Sequence, residues 1–159
     1  MDTALILGIA YAGPPLALLG AVGSALGTIE AASAGLSVIS EDPAQRSRAL
    51  ALAALPMTQT FYGFIFMYMA LSSLGPLIAA GKITMEKSML LFFISLVVGL
   101  AELYSAWTQG KVCRTAISLL PKTRGGIFSM GLILAAYEEL FGILALAFGL
   151  MVMFAWVLA

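Results

Sequence analysis

The chain alternates between long apolar stretches and short polar segments. Each apolar stretch is longer than the about 20 residues that a helix needs to cross the hydrocarbon of a bilayer. The pattern therefore predicts an all-α membrane protein with four transmembrane helices, of which the third has room to continue to about residue 119, beyond the hydrocarbon. The predicted helices cover residues 4–38, 48–79, 85–110 and 125–158.

The second and fourth apolar stretches share a motif, TQTFYGF in the second and YEELFGI in the fourth. The glycines of the two motifs, Gly63 and Gly142, lie 79 residues apart. The same offset aligns Gln59 with Glu138. A repeat at half the chain length indicates a duplicated helical hairpin. The predicted hairpins are residues 1–79 and 80–159.

Two spans per repeat keep both copies in the same orientation across the membrane. Inverted repeats, which many alternating-access carriers use, need an odd number of spans per unit. Parallel hairpins instead suit side-by-side stacking around an axis normal to the membrane, so we predict a homo-oligomeric ring or bundle. Small residues in helix 1 allow close backbone approach, either at the inner wall of that oligomer or inside one four-helix bundle. They are Gly20, Gly23, Ser24, Gly27, Thr28, Ala31 and Gly35.

The composition excludes several classes of protein. Hydrophobic residues make up 62% of the chain and charged residues 10%, with a mean hydropathy of +1.04, whereas soluble domains carry about 25% charged residues. The net charge is zero and there is no histidine. We therefore expect neither nucleic-acid binding, which needs clustered Lys and Arg, nor a zinc site. The single cysteine, Cys113, is expected to be a small packing residue.

The basic residues predict the orientation in the membrane. Six of the eight lie on or near the first and third loops, which the positive-inside rule places in the cytoplasm. Both termini are then expected to face outward. Residues 1–3 carry no Lys or Arg, so we expect the first apolar run to be a mature helix and not a secretory signal. The six residues are Arg46, Arg48, Lys111, Arg114, Lys122 and Arg124.

Glu138 is the candidate ion carrier. It lies about 14 residues past Arg124, which is roughly 21 Å along a helix and close to the middle of the bilayer. An ionised carboxylate at that depth costs on the order of 2.5–3.5 kcal/mol, so it must hold a proton or a cation. Glu139 is adjacent and is expected to point about 100° away, outside the same pocket.

Helix 2 carries polar groups that suit a carboxylate partner. Thr58, Gln59 and Tyr62 share one face, because residues three and four apart are neighbours on a helix. Pro56 lacks an N–H group, which is expected to leave the carbonyl of Leu52 unpaired and to loosen the helix here.

Helix 3 adds Gln109. Its amide oxygen, the amide oxygen of Gln59, a hydroxyl, a freed backbone carbonyl and a carboxylate make a set of hard oxygen atoms that suits a small alkali cation. A proton site needs only the carboxylate and one or two hydrogen-bond partners, and plain interhelical hydrogen bonding is a further interpretation. Glu102 lies on about the same face as Gln109 and is open to three roles: a second protonatable site, a pocket wall or a lumen-facing charge. Glu102 and Glu139 are therefore candidate accessory groups.

Two runs resemble a known family. LPMTQTFYG, residues 55–63, resembles the second helix of the proteolipid subunit, called K or c, of bacterial V-type sodium ATPases. QGKV, residues 109–112, resembles the end of that family's third helix, and Glu138 matches its ion-carrying glutamate. The likeness covers essentially the whole chain, and the order and spacing of the motifs make it specific.

The resemblance implies a c-type rotor ring of identical subunits in the membrane part of a rotary ATPase of the bacterial cell membrane. Tyr62 would steady Glu138. Other implied partners are a stator subunit that supplies an arginine, central-stalk subunits on the cytoplasmic side, and membrane lipids. The implied Na⁺ ligands are Glu138, Thr58, Gln59, Gln109 and the backbone carbonyl of Leu55.

The chain itself is expected not to be an enzyme, because no Walker motif occurs in it, and ATP would be hydrolysed on partner subunits. One carboxylate for four helices suits an ATP-driven pump more than a synthase. Three alternatives stay open at this point: the same rotor carrying H⁺, a small secondary transporter without a ring, and a purely structural membrane protein.

Overall fold

The chain folds into four helical spans that are long and apolar enough to cross a membrane. The computed structural model describes residues 3–158, and that range contains no β-strand. The predicted hairpins also include Met1, Asp2 and Ala159, which lie outside the described residues. The prediction of an all-α protein with four transmembrane helices is confirmed. The first to fourth spans are Thr3–Glu41, Pro43–Ala79, Met85–Ser118 and Phe128–Val157.

The first span is interrupted at a pair of prolines. An α-helix, Thr3–Ala12, is followed by the 3₁₀-helix Pro14–Leu18 and by a second α-helix, Leu19–Glu41. A proline has no N–H to donate, so the regular ladder cannot run through this point. Gly63 of the second span packs against the backbone of Ala17 in this turn, where a side chain would overlap the Ala17 carbonyl oxygen.

The second span has a similar interruption at Pro56. The expectation of an unpaired carbonyl at Leu52 is wrong, because that carbonyl accepts the backbone N–H of Leu55. The chain tightens here into a 3₁₀ turn, in which each N–H bonds three residues back. The parts of the span are the 3₁₀-helix Pro43–Gln45, the α-helix Arg46–Ala54, the 3₁₀-helix Leu55–Met57 and the α-helix Thr58–Ala79.

The third span is one uninterrupted α-helix, Met85–Ser118. Its first turn is capped by Thr84, whose hydroxyl oxygen accepts the N–H of Lys87 at 3.2 Å. The helix continues past residue 110 because no proline occurs between residues 85 and 118. The fourth span consists of the α-helix Phe128–Val152 and a final π-helical turn, Met153–Val157.

The first and third spans pack with their backbones almost in contact. A side chain on Gly110 would overlap the backbone of Gly27, and one on Gly27 would overlap the carbonyl oxygen of Ala106. Gly23 lies in the same way against the backbone of Leu103. Small residues of the first span therefore serve close packing within one chain.

A polar layer crosses the bundle between two apolar clusters. One cluster includes Phe66 and Leu91, and the other includes Leu52 and Cys113. Along each span, the polar layer falls between the residues of the two clusters, so it lies near the middle of the bundle. The polar side chains that the second and third spans bury there, each at most 4% exposed, are Gln59, Glu102, Ser105 and Gln109.

Most apolar side chains point away from the interior of the single chain. Within the most apolar window of each span, between 22% and 39% of the residues are buried. Large aromatic side chains such as Phe61, Tyr68, Phe141 and Phe148 are exposed. So large an apolar surface needs lipid or other protein against it. This is expected of a multi-pass membrane protein.

Candidate ion-binding site

The second span brings three oxygen atoms together just after its 3₁₀ turn. The hydroxyl oxygen of Thr58 lies 3.2 Å from the backbone carbonyl oxygen of Leu55 and 3.2 Å from Oε1 of Gln59. The turn at Pro56 exposes the Leu55 carbonyl to the hydroxyl one turn later. These residues are three of those that the family resemblance implies as ligands.

Two buried amides join the second, third and fourth spans. Nε2 of Gln59 donates to Oε1 of Gln109 at 3.0 Å and to Oγ of Ser105 at 3.1 Å. Nε2 of Gln109 donates to the carbonyl oxygen of Ala135 at 3.1 Å. Both glutamines are 0% exposed. Their positions are therefore fixed by partners on three spans, which gives the site a rigid frame.

The carboxylate that joins this hydrogen-bond network of the second and third spans belongs to Glu139. Oη of Tyr62 donates to Oε1 of Glu139 at 2.8 Å, and Nε2 of Gln109 donates to its Oε2 at 3.4 Å. The expectation that Glu139 points outside this pocket is wrong, and so is the expectation that Tyr62 pairs with Glu138. The face of the fourth span that meets the second span contains Glu139.

Glu138 lies on the side of the fourth span that meets the third span. Its Oε2 accepts the hydroxyl of Thr108 at 2.8 Å, and its backbone carbonyl accepts the hydroxyl of Ser105 at 2.7 Å. Within residues 3–158, its carboxylate makes no hydrogen bond to Gln59 or Tyr62. Ion binding at Glu138 stays a prediction, and the contacts of the other predicted ligands favour its neighbour.

The repeat alignment does not show which of the two glutamates faces the second span. The offset of 79 residues pairs Gln59 with Glu138 and Thr60 with Glu139. In the folded chain, however, the two repeats contact each other through positions that the alignment does not pair. Tyr62 of the second span contacts Glu139 of the fourth. Glu138 is aligned with Gln59 in the repeat, but this alignment does not mean that Glu138 faces Gln59.

Glu102 lies beside the network and has no partner of its own. Its side chain is 0% exposed, and within the described residues neither carboxyl oxygen has a hydrogen-bond partner. Its Oε2 lies against Gly142, where an added Cβ would come within 2.6 Å of that oxygen, 3.2 Å of the Ser105 hydroxyl and 3.3 Å of Cγ of Gln59. The absent side chain at Gly142 thus leaves the space that the Glu102 carboxyl occupies.

Replacing Gly142 with alanine is expected to destabilise the protein by about 1 kcal/mol, the lower end of the cost of overpacking a core. The new methyl group would displace the Glu102 carboxyl and press on the Gln59 side chain. The measurement is the temperature at which the detergent-solubilised protein dissociates and unfolds. Adding Glu102→Ala to Gly142→Ala removes the crowded atoms and should restore part of the loss. Equal losses in the single and double variants would contradict this packing account.

The oxygen atoms of the network suit a small, singly charged cation. Carboxylate, carbonyl, amide and hydroxyl oxygens are ligands that hard cations prefer. Within the described part of the chain, no group of three or more Asp, Glu, His or Cys side chains is arranged to hold a metal ion. The Glu139 carboxylate among neutral oxygens could balance a single positive charge, such as that of a proton or an alkali cation.

Comparisons with known proteins agree with the duplicated architecture. The family of ATP synthase C subunits matches the chain twice, over residues 12–70 and 92–152. The chain is also similar to the V-type sodium ATPase subunit K of Enterococcus hirae, with 29% identity over 123 residues, which are 77% of this chain and 75% of that protein. The family consists of non-catalytic proteins that form rings of identical copies in rotary ATPases. With four apolar spans and two matched repeats, the chain belongs to the family of ATP synthase C subunits, as a proteolipid of the rotor.

Proposed function

We propose that this protein binds Na⁺ at Glu139 and carries it across the membrane during ATP-driven rotation of a V-type ATPase. The observation that carries the proposal is that Tyr62 and Gln109 both reach the Glu139 carboxylate. Gln109 in turn is bonded to Gln59, whose Oε1 lies beside the Thr58 hydroxyl. The E. hirae relative is named a sodium ATPase subunit, which supports sodium as the cargo.

Each group of the network has a distinct role in this proposal. Glu139 supplies the negative charge. Oxygen atoms of Thr58, Gln59, Gln109 and the Leu55 carbonyl replace the hydration shell of the ion. Tyr62 donates to Glu139 and keeps the carboxylate turned toward the ligands of the second span. Because these side chains lie on three different spans, the site depends on the packing of the whole chain.

Charge neutralisation is the physical basis of transport. With Na⁺ bound, the Glu139 carboxylate carries no net charge into the lipid as the ring turns, so the penalty for a bare charge in hydrocarbon is avoided. A stator subunit with an arginine would compete with the ion and release it into an aqueous path. Moving one charge against 100 mV costs about 2.3 kcal/mol, and ATP hydrolysis on partner subunits supplies that energy.

The setting of the ring also belongs to the proposal. We infer a bacterial cell membrane, with the first and third loops in the cytoplasm, where central-stalk subunits bind, and both termini outside. The distribution of basic residues supports that orientation. Membership in the family argues against the small secondary transporter and the purely structural protein.

A rotor that carries protons is the second candidate. Glu102 favours it, because a buried carboxyl without partners can bind a proton without further ligands. The predicted ligand set of Thr58, Gln59 and Gln109 favours sodium instead, since a proton does not need so many oxygen atoms. Sodium is therefore the preferred cargo.

Carbodiimide labelling of the purified ring is expected to separate the two cargoes. The reagent modifies a protonated carboxyl group, so Na⁺ bound at Glu139 should slow the reaction by displacing the proton. Labelling followed by peptide mass spectrometry is expected to find the adduct on Glu139, with protection by millimolar Na⁺ and none by the same concentration of K⁺. Labelling of Glu139 that Na⁺ does not slow at any pH would leave the proton rotor as the explanation.

A further inference from the structure

One edge of the folded chain has a groove with hydroxyl groups that have no partner. The groove lies between the first and second spans and has a volume of about 420 Å³. Oγ of Ser24 and Oγ1 of Thr28 are buried in the described structure and make no hydrogen bond. Thr60 of the second span lines the same groove. Lipid acyl chains cannot satisfy such groups, because they offer no hydrogen-bonding atoms.

The fourth span carries an incompletely paired acceptor. Oε2 of Glu138 accepts the hydroxyl of Thr108, and within residues 3–158 its Oε1 accepts no hydrogen bond. The side chain is half-buried and takes no part in the network around Glu139. A carboxylate at this depth needs more donors than one hydroxyl to offset the loss of water.

The internal repeat indicates how the two features meet. Within one chain, the second span meets the fourth through Tyr62 and Glu139. The offset of 79 residues maps Tyr62 onto Phe141 and Glu139 onto Thr60. In a ring of identical parallel hairpins, the fourth span of one copy should therefore meet the second span of the next, with Phe141 opposite Thr60.

The same repeat alignment predicts which span the Glu138 side chain reaches. Its repeat partner Gln59 reaches across to the third span of its own chain, at Ser105 and Gln109. Glu138 is then expected to reach the first span of the next copy, since the first span is the repeat partner of the third. The unpaired hydroxyl of Thr28 lies on that span. Its neighbour Gly27 lies against Ala106 and Gly110 of the third span, so Thr28 is at about the membrane depth of Thr108, to which Glu138 is bonded.

We propose that Glu138 enters this groove in a second copy of the chain and accepts hydrogen bonds from the hydroxyls of Thr28 and Thr60. Each such contact would recur at every boundary between copies. Glu138 then joins neighbouring copies, while Glu139 is left to the cargo. This inference needs the ring but does not depend on which cation the ring carries.

Disulfide cross-linking of assembled rings tests the contact. In a Cys113→Ser background, Glu138→Cys is combined with Thr28→Cys or with Thr60→Cys, and the rings are oxidised before non-reducing electrophoresis. Both pairs are expected to yield a ladder of covalent dimers and higher oligomers. The matched control pairs Glu138→Cys with Ile65→Cys, an exposed position on another face of the second span, and should stay monomeric. Absence of a ladder from both test pairs, or an equal ladder from the control, would overturn the proposal.

Hydroxyl deletion tests the hydrogen bond separately from proximity. Thr28→Val keeps the shape but loses the hydroxyl, whereas Thr28→Ser keeps the hydroxyl. We expect Thr28→Val to lower the temperature at which rings dissociate in detergent by several degrees and Thr28→Ser to lower it less. In a Glu138→Leu background the two variants should behave alike. If Thr28→Val and Thr28→Ser still differ by as much in that background, the role of Glu138 is overturned. Na⁺ protection of Glu139 from carbodiimide, measured on the same rings, tests the sodium site independently.

Discussion

Replacing Glu139 with glutamine is expected to abolish sodium transport, whereas replacing Glu138 with glutamine should leave most of it. An amide at position 139 keeps the hydrogen-bonding shape of the site but cannot balance the charge of the cation. Removing one partner of a buried charge pair costs about 3–5 kcal/mol, which is a loss of affinity of about two orders of magnitude or more. The measurement is ATP-driven ²²Na⁺ uptake into vesicles that contain the complete ATPase.

Glu138→Gln is the matched control, because it makes the same chemical change one residue away. The Glu138 carboxylate bonds to Thr108 and not to the ligands of the second span, and a glutamine oxygen can still accept a hydroxyl hydrogen bond. Both variants should assemble into rings in similar amounts. Loss of uptake in Glu138→Gln with retention in Glu139→Gln would restore Glu138 as the carrier.

Replacing Gly110 with alanine is expected to disrupt folding strongly. The new Cβ would overlap the backbone of Gly27, and backbone cannot rotate away as a side chain can. The first and third spans would have to separate, at a cost of at least about 1–3 kcal/mol. The measurement is the yield of folded protein extracted from the membrane in mild detergent, with its dissociation temperature.

Gly8→Ala is the control for Gly110→Ala. Gly8 also lies within a helical span, but an added Cβ there meets no heavy atom within 4 Å. Since alanine favours the helix over glycine by about 0.8–1.0 kcal/mol, this variant should be as stable as the parent or more so. Similar losses in the two variants would mean that helix contact at Gly27 does not limit stability.

The four spans could be predicted from the sequence because length and hydropathy alone decide whether a helix can cross a bilayer. The continuation of the third helix beyond the apolar run, to about residue 119, was predicted too. Lys111 and Arg114 mark the end of the apolar run, yet the helix continues to Ser118, because charges outside the hydrocarbon do not stop a helix. Arg114 is accommodated there by an ion pair with Glu30 of the first span, at 2.7 Å.

The polar groups of the site were partly predictable for a similar reason. Helical spacing identified Thr58, Gln59 and Tyr62 as one face of the second span, and the structure connects them to Gln109 and the fourth span. Helical spacing alone could not decide whether Glu138 or Glu139 faces the second span. The answer depends on which side of the fourth span meets the second, and that is set by packing between spans, which no periodicity within one span encodes.

A high-resolution map of the assembled ring, prepared in Na⁺, tests the central claim most directly. We predict density for one ion bound to a carboxyl oxygen of Glu139, with further ligands from Thr58, Gln59, Gln109 and the Leu55 carbonyl. Rings prepared without Na⁺ should lack that density while the ligands keep their places. Density coordinated by Glu138, or by neither glutamate, would contradict the account.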